Sequence, residues 1–271
     1  MVAHTDKQLA CAPTSYYVTP SFGILRHMQA TDYYAQYAPF YDDEDTSSDS
    51  TDKAAFLEKI LHKRAPHAKS ILEIACGTGN ILKPLSTQYD VAGLDLSSKM
   101  LEMARKKLPN TPFYEGDMVN FKLHKKFDVI LCIFDSINHL THFDQWEATF
   151  DSVKAHINDG GVFIVDINTI YKMERFAAFR PIYEIRKGNY HLINIEKQHS
   201  GLYNWNIDVF TPTEGTATMY KLRHTSIPIA AYPYEQVEQS LKVRFNQVQT
   251  HTPDGEPISD TTDRIYFSCK A

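Results

Sequence analysis

The stretch Ile71-Leu72-Glu73-Ile74-Ala75-Cys76-Gly77-Thr78-Gly79-Asn80-Ile81-Leu82 constrains this chain most. Its first half is a short apolar run interrupted by one acid, which predicts a buried parallel strand. Two glycines flank Thr78, and an apolar, helix-compatible stretch follows. Strand, glycine turn and helix make a phosphate- or nucleoside-binding geometry. The glycines let a ligand approach the backbone, and the helix start offers free N–H groups. Two mononucleotide patterns fail. The dinucleotide fingerprint needs a third small residue where this chain has Leu82, and the phosphate loop of NTPases needs a Gly-Lys-Ser/Thr that is absent.

At 271 residues the chain can build one large α/β domain with an insertion, or two small domains. With 43% hydrophobic and 23% charged residues it reads as an ordinary globular protein. A net charge of −5 argues against a nucleic-acid substrate, because phosphate neutralisation requires a basic surface. Cys11, Cys76, Cys132 and Cys269 form no CxxC pair, so neither a zinc site nor a disulfide framework is expected. The mixed polar N-terminus and the lack of a long apolar run predict no signal peptide, no membrane span and a cytoplasmic location.

Residues 1–31 show little periodicity and are expected to form a mobile arm. Tyr33, Tyr37 and Tyr41 recur every four residues, which could place them on one helical face that Pro39 kinks or ends. Residues 42–52 read as an acidic, solvated loop, and Lys53–Arg64 as a helix. Residues 89–95 form the second expected strand, ending in Asp95, sixteen residues after Gly79. A carboxylate there can accept both hydroxyls of a nucleoside ribose. Ser97 caps the next helix, whose Met100, Leu101 and Ala104 pack inward. Residues 112–118 supply a third strand and its exit, and Phe127–Phe134 a fourth, apolar enough to be buried on both faces. The polar run Asp135-Ser136-Ile137-Asn138-His139 follows it, at the carboxyl rim where open α/β sheets bind ligands. A helix over 143–157, an Asp159-Gly160-Gly161 turn and a fifth strand over 162–167 come next. From 182 to 229, partial alternation punctuated by Gly188-Asn189, Ser200-Gly201 and Glu214-Gly215 predicts a small antiparallel sheet. A helix over 234–243 and a closing hairpin end the chain.

Taken together, Glu73-x-x-Cys76-Gly77-x-Gly79, Asp95 and Gly116-Asp117-Met118 resemble the successive motifs of class I S-adenosylmethionine methyltransferases, from about Asp32 to the C-terminus. The resemblance implies a Rossmann-like α/β fold: a mostly parallel sheet with a closing antiparallel hairpin and a small inserted antiparallel sheet. It implies S-adenosylmethionine as cofactor, S-adenosylhomocysteine as product, and Asp117 as acceptor of the adenine amino group. The cofactor shell it implies is Tyr33, Tyr41, Glu73, Ala75, Gly77, Gly79, Asp95, Leu96, Met100, Asp117, Met118 and Phe134. Within that family the chain looks most like the sugar N,N-dimethyltransferases of macrolide biosynthesis. The matching pieces include Asp32-Tyr33, Ala38-Pro39-Phe40-Tyr41-Asp42, Gly93-Leu94-Asp95-Leu96-Ser97 and Ser136-Ile137-Asn138-His139-Leu140. That likeness maps the base histidine onto His139 and the active-site tyrosine onto Tyr41; Asp135, four residues before His139, could face it on a helical turn, fixing its tautomer or binding an acceptor ammonium. In that group the inserted sheet covers the sugar or mediates dimerisation. The chain departs from the group at Asp166-Ile167-Asn168-Thr169, where a Glu-Pro-Trp-like segment is usual, and in the arm before Asp32.

The expected domain is therefore residues 32–271, acting on a small molecule, an amine in preference to a hydroxyl, with no nucleic-acid or membrane partner and with a homodimer compatible. Two alternatives stay open. A metal-assisted O-methyltransferase would gather a hard cation on Asp135, Asp166 and Asn168. A non-catalytic sensor or partner subunit would bind the cofactor without turnover.

Overall fold

The computed structural model describes residues 34, 38, 40–42, 47–198, 201–215 and 219–271. The expected N-terminal arm, Tyr33 and Tyr37 lie outside the described residues.

The central sheet has seven strands: β1 (Ser70–Ile74), β2 (Asp90–Asp95), β3 (Phe113–Glu115), β4 (Phe127–Cys132), β5 (Ile157–Asn168), β10 (Gln247–His251) and β11 (Arg264–Lys270). Their order is β10-β11-β5-β4-β1-β2-β3. The first five strands run parallel, while β11 is antiparallel to both β5 and β10. This is the expected Rossmann-like arrangement with its closing hairpin. Strands β1 and β4 are central and almost wholly buried, which is why both read as apolar runs broken by a single acid, Glu73 and Asp128. Strand order reverses between them, so the crevice beyond their carboxyl ends is the natural ligand site.

Helices cover both faces. On one side α1 (Ser47–Arg64) and α3 (Ser98–Lys107) bury Leu57, Ile60, Leu61 and Leu101 together with Leu82 and Leu85 of the short α2 (Leu82–Leu85). On the other, Trp146, Phe150 and Val153 of α4 (Phe143–His156) pack with Val237 and Leu241 of α6 (Tyr234–Arg244). Between β5 and α6, helix α5 (Ile170–Ala178) leads into a separate antiparallel sheet in the order β6 (Ile182–Arg186), β7 (Asn189–Lys197), β8 (Leu202–Pro212), β9 (Tyr220–Ala230). This sheet buries Ile193, Ile195, Ile207, Val209, Ile227 and Ile229 against Met173 of α5 and Phe40. The segment holding Tyr41 thus sits between the inserted sheet and the main domain.

Three local expectations change. Helix α1 starts at Ser47, not Lys53, so much of the expected acidic loop is helical. Gly160 and Gly161 lie within β5 rather than forming a turn before it. A Cβ on Gly161 would stand 2.8 Å from the Asp128 carbonyl oxygen, so close backbone approach explains that glycine. The β6–β7 hairpin turns on Lys187 and Gly188, at φ 45° and 81°, rather than on Gly188-Asn189. Two successive left-handed residues match the twist of the flanking strands.

Candidate active site

The rim at the crevice is built on left-handed backbone. Beyond β1 come Ala75 (φ 54°), Gly77 (53°) and Gly79 (76°), and beyond β4 come Phe134 (60°) and Asp135 (52°). For the non-glycine residues such geometry costs about 1–3 kcal/mol each, and it concentrates at functional sites. The Tyr41 ring lies over the glycine turn, since a Cβ on Gly77 would stand 3.7 Å from its Cε1. Gly93 of β2 is equally fixed, because a Cβ there would come within 2.6 Å of Cys76 Sγ and 2.7 Å of the Phe113 ring.

Two carboxylates sit under this rim. Glu73 is 3% exposed and its Oε2 has no hydrogen-bond partner among the described residues. Burial, with the nearby Asp95 charge, raises its pKa well above the usual carboxylate range. Asp95 accepts from the Gly77 N–H at 2.7 Å and the Ser97 N–H at 2.8 Å. Burial pushes its pKa up and those backbone bonds pull it part-way back. Each of its oxygens keeps a lone pair for a further donor. Asp117 accepts from the Val119 N–H at 2.9 Å through Oδ1.

His139 ends the 3₁₀ turn Ser136–His139, entered from the left-handed Asp135. Its Nε2 lies 2.7 Å from the Tyr34 hydroxyl, and the two rings meet edge to face at 5.5 Å. Its Nδ1 is buried without a partner among the described residues. Burial lowers the imidazole pKa despite the opposing Asp135 charge, which favours the neutral ring. Asn138 pins the turn. Its Oδ1 accepts from the Asn168 N–H at 3.0 Å, and its Nδ2 donates to the Ala230 carbonyl at 2.7 Å.

Asp135 does not hydrogen-bond to His139 as expected. It accepts from Arg264 at 2.5 Å, and Arg264 also donates to Asp166, which in turn accepts from the Asp135 N–H at 2.8 Å. Arg264 holds the Asp135 carboxyl below its ordinary range, overriding the effect of burial. Asp166, with no exposed surface, is pushed up by burial, which the same guanidinium offsets only in part. Asn168 Oδ1 accepts from Lys172 Nζ at 2.8 Å, and burial with the neighbouring Arg264 charge pulls Lys172 down to about 8. The three side chains considered for a hard cation are therefore committed to protein cations.

A cavity of about 370 Å³ joins these pieces. Tyr34, Tyr41, Glu73, Ala75, Phe134, Asp135 and His139 line it from the main domain, and Ile182, Glu184, Arg186, Trp205 and Ile207 from the inserted sheet. Gly77 and Gly79 form the turn beneath Tyr41. Asp95, Leu96, Asp117 and Met118 follow along the ends of β2 and β3, outside the enclosed volume. Met100 is 1% exposed within α3 and has almost no surface to present to a ligand, so its expected place in the cofactor shell becomes one in the core. Sequence reasoning missed Tyr34 and Arg264, and it placed Asn138 only within the polar run at the rim. Tyr34 was adjacent to the tyrosine stripe but off its spacing, and Arg264 carried no local signal.

Comparison with known proteins shows what such a chain is similar to. Residues 71–161 match the family described as "Methyltransferase domain". Over those residues the chain is similar to methyltransferases. Over 115 residues it is 36% identical to a dTDP-3-amino-3,4,6-trideoxy-alpha-D-glucopyranose N,N-dimethyltransferase of Streptomyces venezuelae, covering 42% of this chain and 48% of that protein. Over 150 residues it is 34% identical to a dTDP-3-amino-3,6-dideoxy-alpha-D-glucopyranose N,N-dimethyltransferase of Streptomyces fradiae, covering 52% and 59%. The chain thus spans about half the length of these curated relatives. The solved sugar N-methyltransferase of Streptoalloteichus superposes with a TM-score of 0.74 over 98% of this chain and 100% of its own, at 21% identity. A S-adenosylmethionine-dependent methyltransferase of Clostridium acetobutylicum gives 0.72 over 88% and 98%, at 24% identity. At these identities the superpositions establish the fold. No helix among the described residues is long and apolar enough to cross a membrane. The Glu73 Oε2, without a partner among the described residues, is buried beside the glycine turn, where an ammonium or other donor would satisfy it.

Proposed function

We propose that this chain transfers a methyl group from S-adenosylmethionine to an amine on a small molecule, an amino sugar or a compound like it. The observation that carries the proposal is one cavity lined by both Glu73 and His139, whose Oε2 and Nδ1 are buried with no hydrogen-bond partner among the described residues. Glu73 and the glycine turn would hold the methionine part of the cofactor. Asp95 would take the ribose hydroxyls, Asp117 the adenine amino group, and Ala75, Leu96, Met118 and Phe134 would flank them. The cofactor supplies a methyl group already activated by a sulfonium.

The chain's own residues then position and deprotonate. An amine attacks only with its lone pair free, and His139 Nδ1 can take the proton that leaves the nitrogen. This requires the tautomer in which Nε2–H donates to the Tyr34 oxygen. The lowered pKa keeps the ring neutral and ready to accept near pH 7. Holding the acceptor in line contributes through effective molarity, and a positioned base adds about 10²–10⁴-fold. Tyr41, lying across the glycine turn, keeps water from the reacting face. The relatives named above act on dTDP-linked amino sugars, which supports an amine acceptor here. Incubation with S-adenosylmethionine carrying a labelled methyl and a panel of amino sugars and simple amines tests the proposal. Label on nitrogen is expected, and label on no amine in the panel argues against it.

A further inference from the structure

Asp42 is not in a solvated loop. It follows Tyr41, and its Oδ1 accepts from Thr78 Oγ1 at 2.6 Å, from Lys107 Nζ at 2.7 Å and from Asn80 Nδ2 at 3.3 Å. Lys107, the last residue of α3, also donates to Thr78 Oγ1 at 2.8 Å and to Asn80 Oδ1. All three ammonium protons are thereby used within one cluster. Thr78 is buried, accepting from Lys107 while donating to Asp42. Asp42 and Lys107 keep 23% side-chain exposure each, so the pair is reachable by salt but not fully solvated. Burial raises the Asp42 pKa, yet the bonds from Lys107 and Thr78 win, and the group titrates below its usual range.

The placement matters more than the bond count. Thr78 stands between Gly77 and Gly79, the two left-handed glycines of the turn, and Asn80 and Tyr41 line the cavity. Asp42 is 36 residues from Thr78 and 65 from Lys107, so these contacts fasten a distant segment onto the ligand turn. Because Asp42 directly follows Tyr41, the fastening also fixes the ring that lies on Gly77. We infer that Asp42, Thr78, Asn80 and Lys107 form a clasp that holds Tyr41 across the glycine turn and must open before the cofactor can enter or leave. Asp42 and Lys107 are positioning residues, acting through Tyr41. The inference rests on the cofactor reading proposed above.

A clasp that opens for passage has a kinetic signature that a purely structural contact lacks. Release of S-adenosylhomocysteine should accelerate about ten-fold in Lys107→Met, and by a similar factor in Asp42→Asn, with unfolding midpoints near wild type. The double variant should release no faster than the faster single, because both changes undo one device. Raising salt from 50 mM to 0.5 M should speed release from the wild type and leave Lys107→Met nearly unchanged. Hydrogen exchange at residues 40–42 should rise in both variants. The experiment is stopped-flow release of S-adenosylhomocysteine from the full chain. Equal release rates in wild type and both variants overturn the clasp. Failure of the wild type to bind S-adenosylhomocysteine at all overturns the cofactor reading instead, so the two failures are told apart. If Lys107→Met does not fold, Asp42→Asn and the salt dependence of the wild type carry the same decision.

Discussion

Replacing Arg264 by methionine is the most demanding test of the rim's architecture. The Arg264 side chain is 16% exposed and joins Asp135, 12% exposed, to Asp166, 0% exposed. Removing the guanidinium leaves two neighbouring buried carboxyls without the cation bonded to both, with the charge of Lys172 still acting on them. Breaking a buried pair by deleting one partner costs about 3–5 kcal/mol. The lost bonds give a similar figure, since hydrogen bonds to charged groups contribute about 1.5–3 kcal/mol each. The expected loss at pH 7 is therefore about 3–5 kcal/mol, read from chemical-denaturation curves. The pH dependence has a definite sign. In the wild type the Asp135 pKa is depressed, so its contribution is present above the unfolded pKa and lost as pH falls through the folded one. In the variant the main lowering influence on Asp135 is gone and burial pushes both carboxyls upward, so protonation relieves the defect. The stability gap between variant and wild type should narrow from pH 7 to pH 5. Adding Asp166→Asn to Arg264→Met should recover part of the loss. A loss under about 1 kcal/mol, the scale of an exposed ion pair, with no pH dependence, would refute the reasoning.

The other expectations are more local. His139→Ala should lower kcat by roughly 10–10³-fold in steady-state assays, at or below the usual range for a positioned base, while S-adenosylhomocysteine affinity measured by calorimetry stays near wild type. Because burial lowers the His139 pKa, the acidic limb of the wild-type rate should fall below the ordinary histidine range, and the loss in the variant should shrink at high pH as amines deprotonate unaided. Asp95→Ala should weaken S-adenosylhomocysteine binding at least about ten-fold with the fold retained by circular dichroism, as expected for losing bonds of about 1.5–3 kcal/mol each. Gly93→Ala forces a Cβ into Cys76 and Phe113, so thermal unfolding should report a loss of about 1–3 kcal/mol together with weaker cofactor binding.

Features dictated by local pattern were legible in the sequence. The apolar runs of β1 and β4, the acid ending β2 and the glycines around Thr78 sufficed for the parallel sheet, its crevice and the rim. The alternation from 182 onward predicted the inserted sheet, whose last strand ends at Ala230. What escaped depends on contacts between distant residues. Asp42 reads as one acid among several until Lys107 is brought to it across the fold. Arg264 reads as an ordinary strand residue until β11 pairs with β5 and sets it between Asp135 and Asp166. Asp135 was paired with His139 on helical spacing, but the left-handed backbone at Asp135 and the tight 3₁₀ turn direct its carboxylate to the arginine. Tyr34 lies beside the expected tyrosine stripe, and only the folded chain shows that its hydroxyl meets His139.

The central claim is methyl transfer to nitrogen, and mass spectrometry of the acceptor tests it most directly. The purified chain, S-adenosylmethionine with a deuterated methyl and a mixed panel of amino sugars, simple amines, phenols and carboxylates would be incubated together, with fragmentation locating any label. The account predicts label on an amine nitrogen, formed alongside S-adenosylhomocysteine and strongly reduced in His139→Ala. Label on a hydroxyl or carboxyl oxygen, or cofactor binding with no label on any member of the panel, would contradict it.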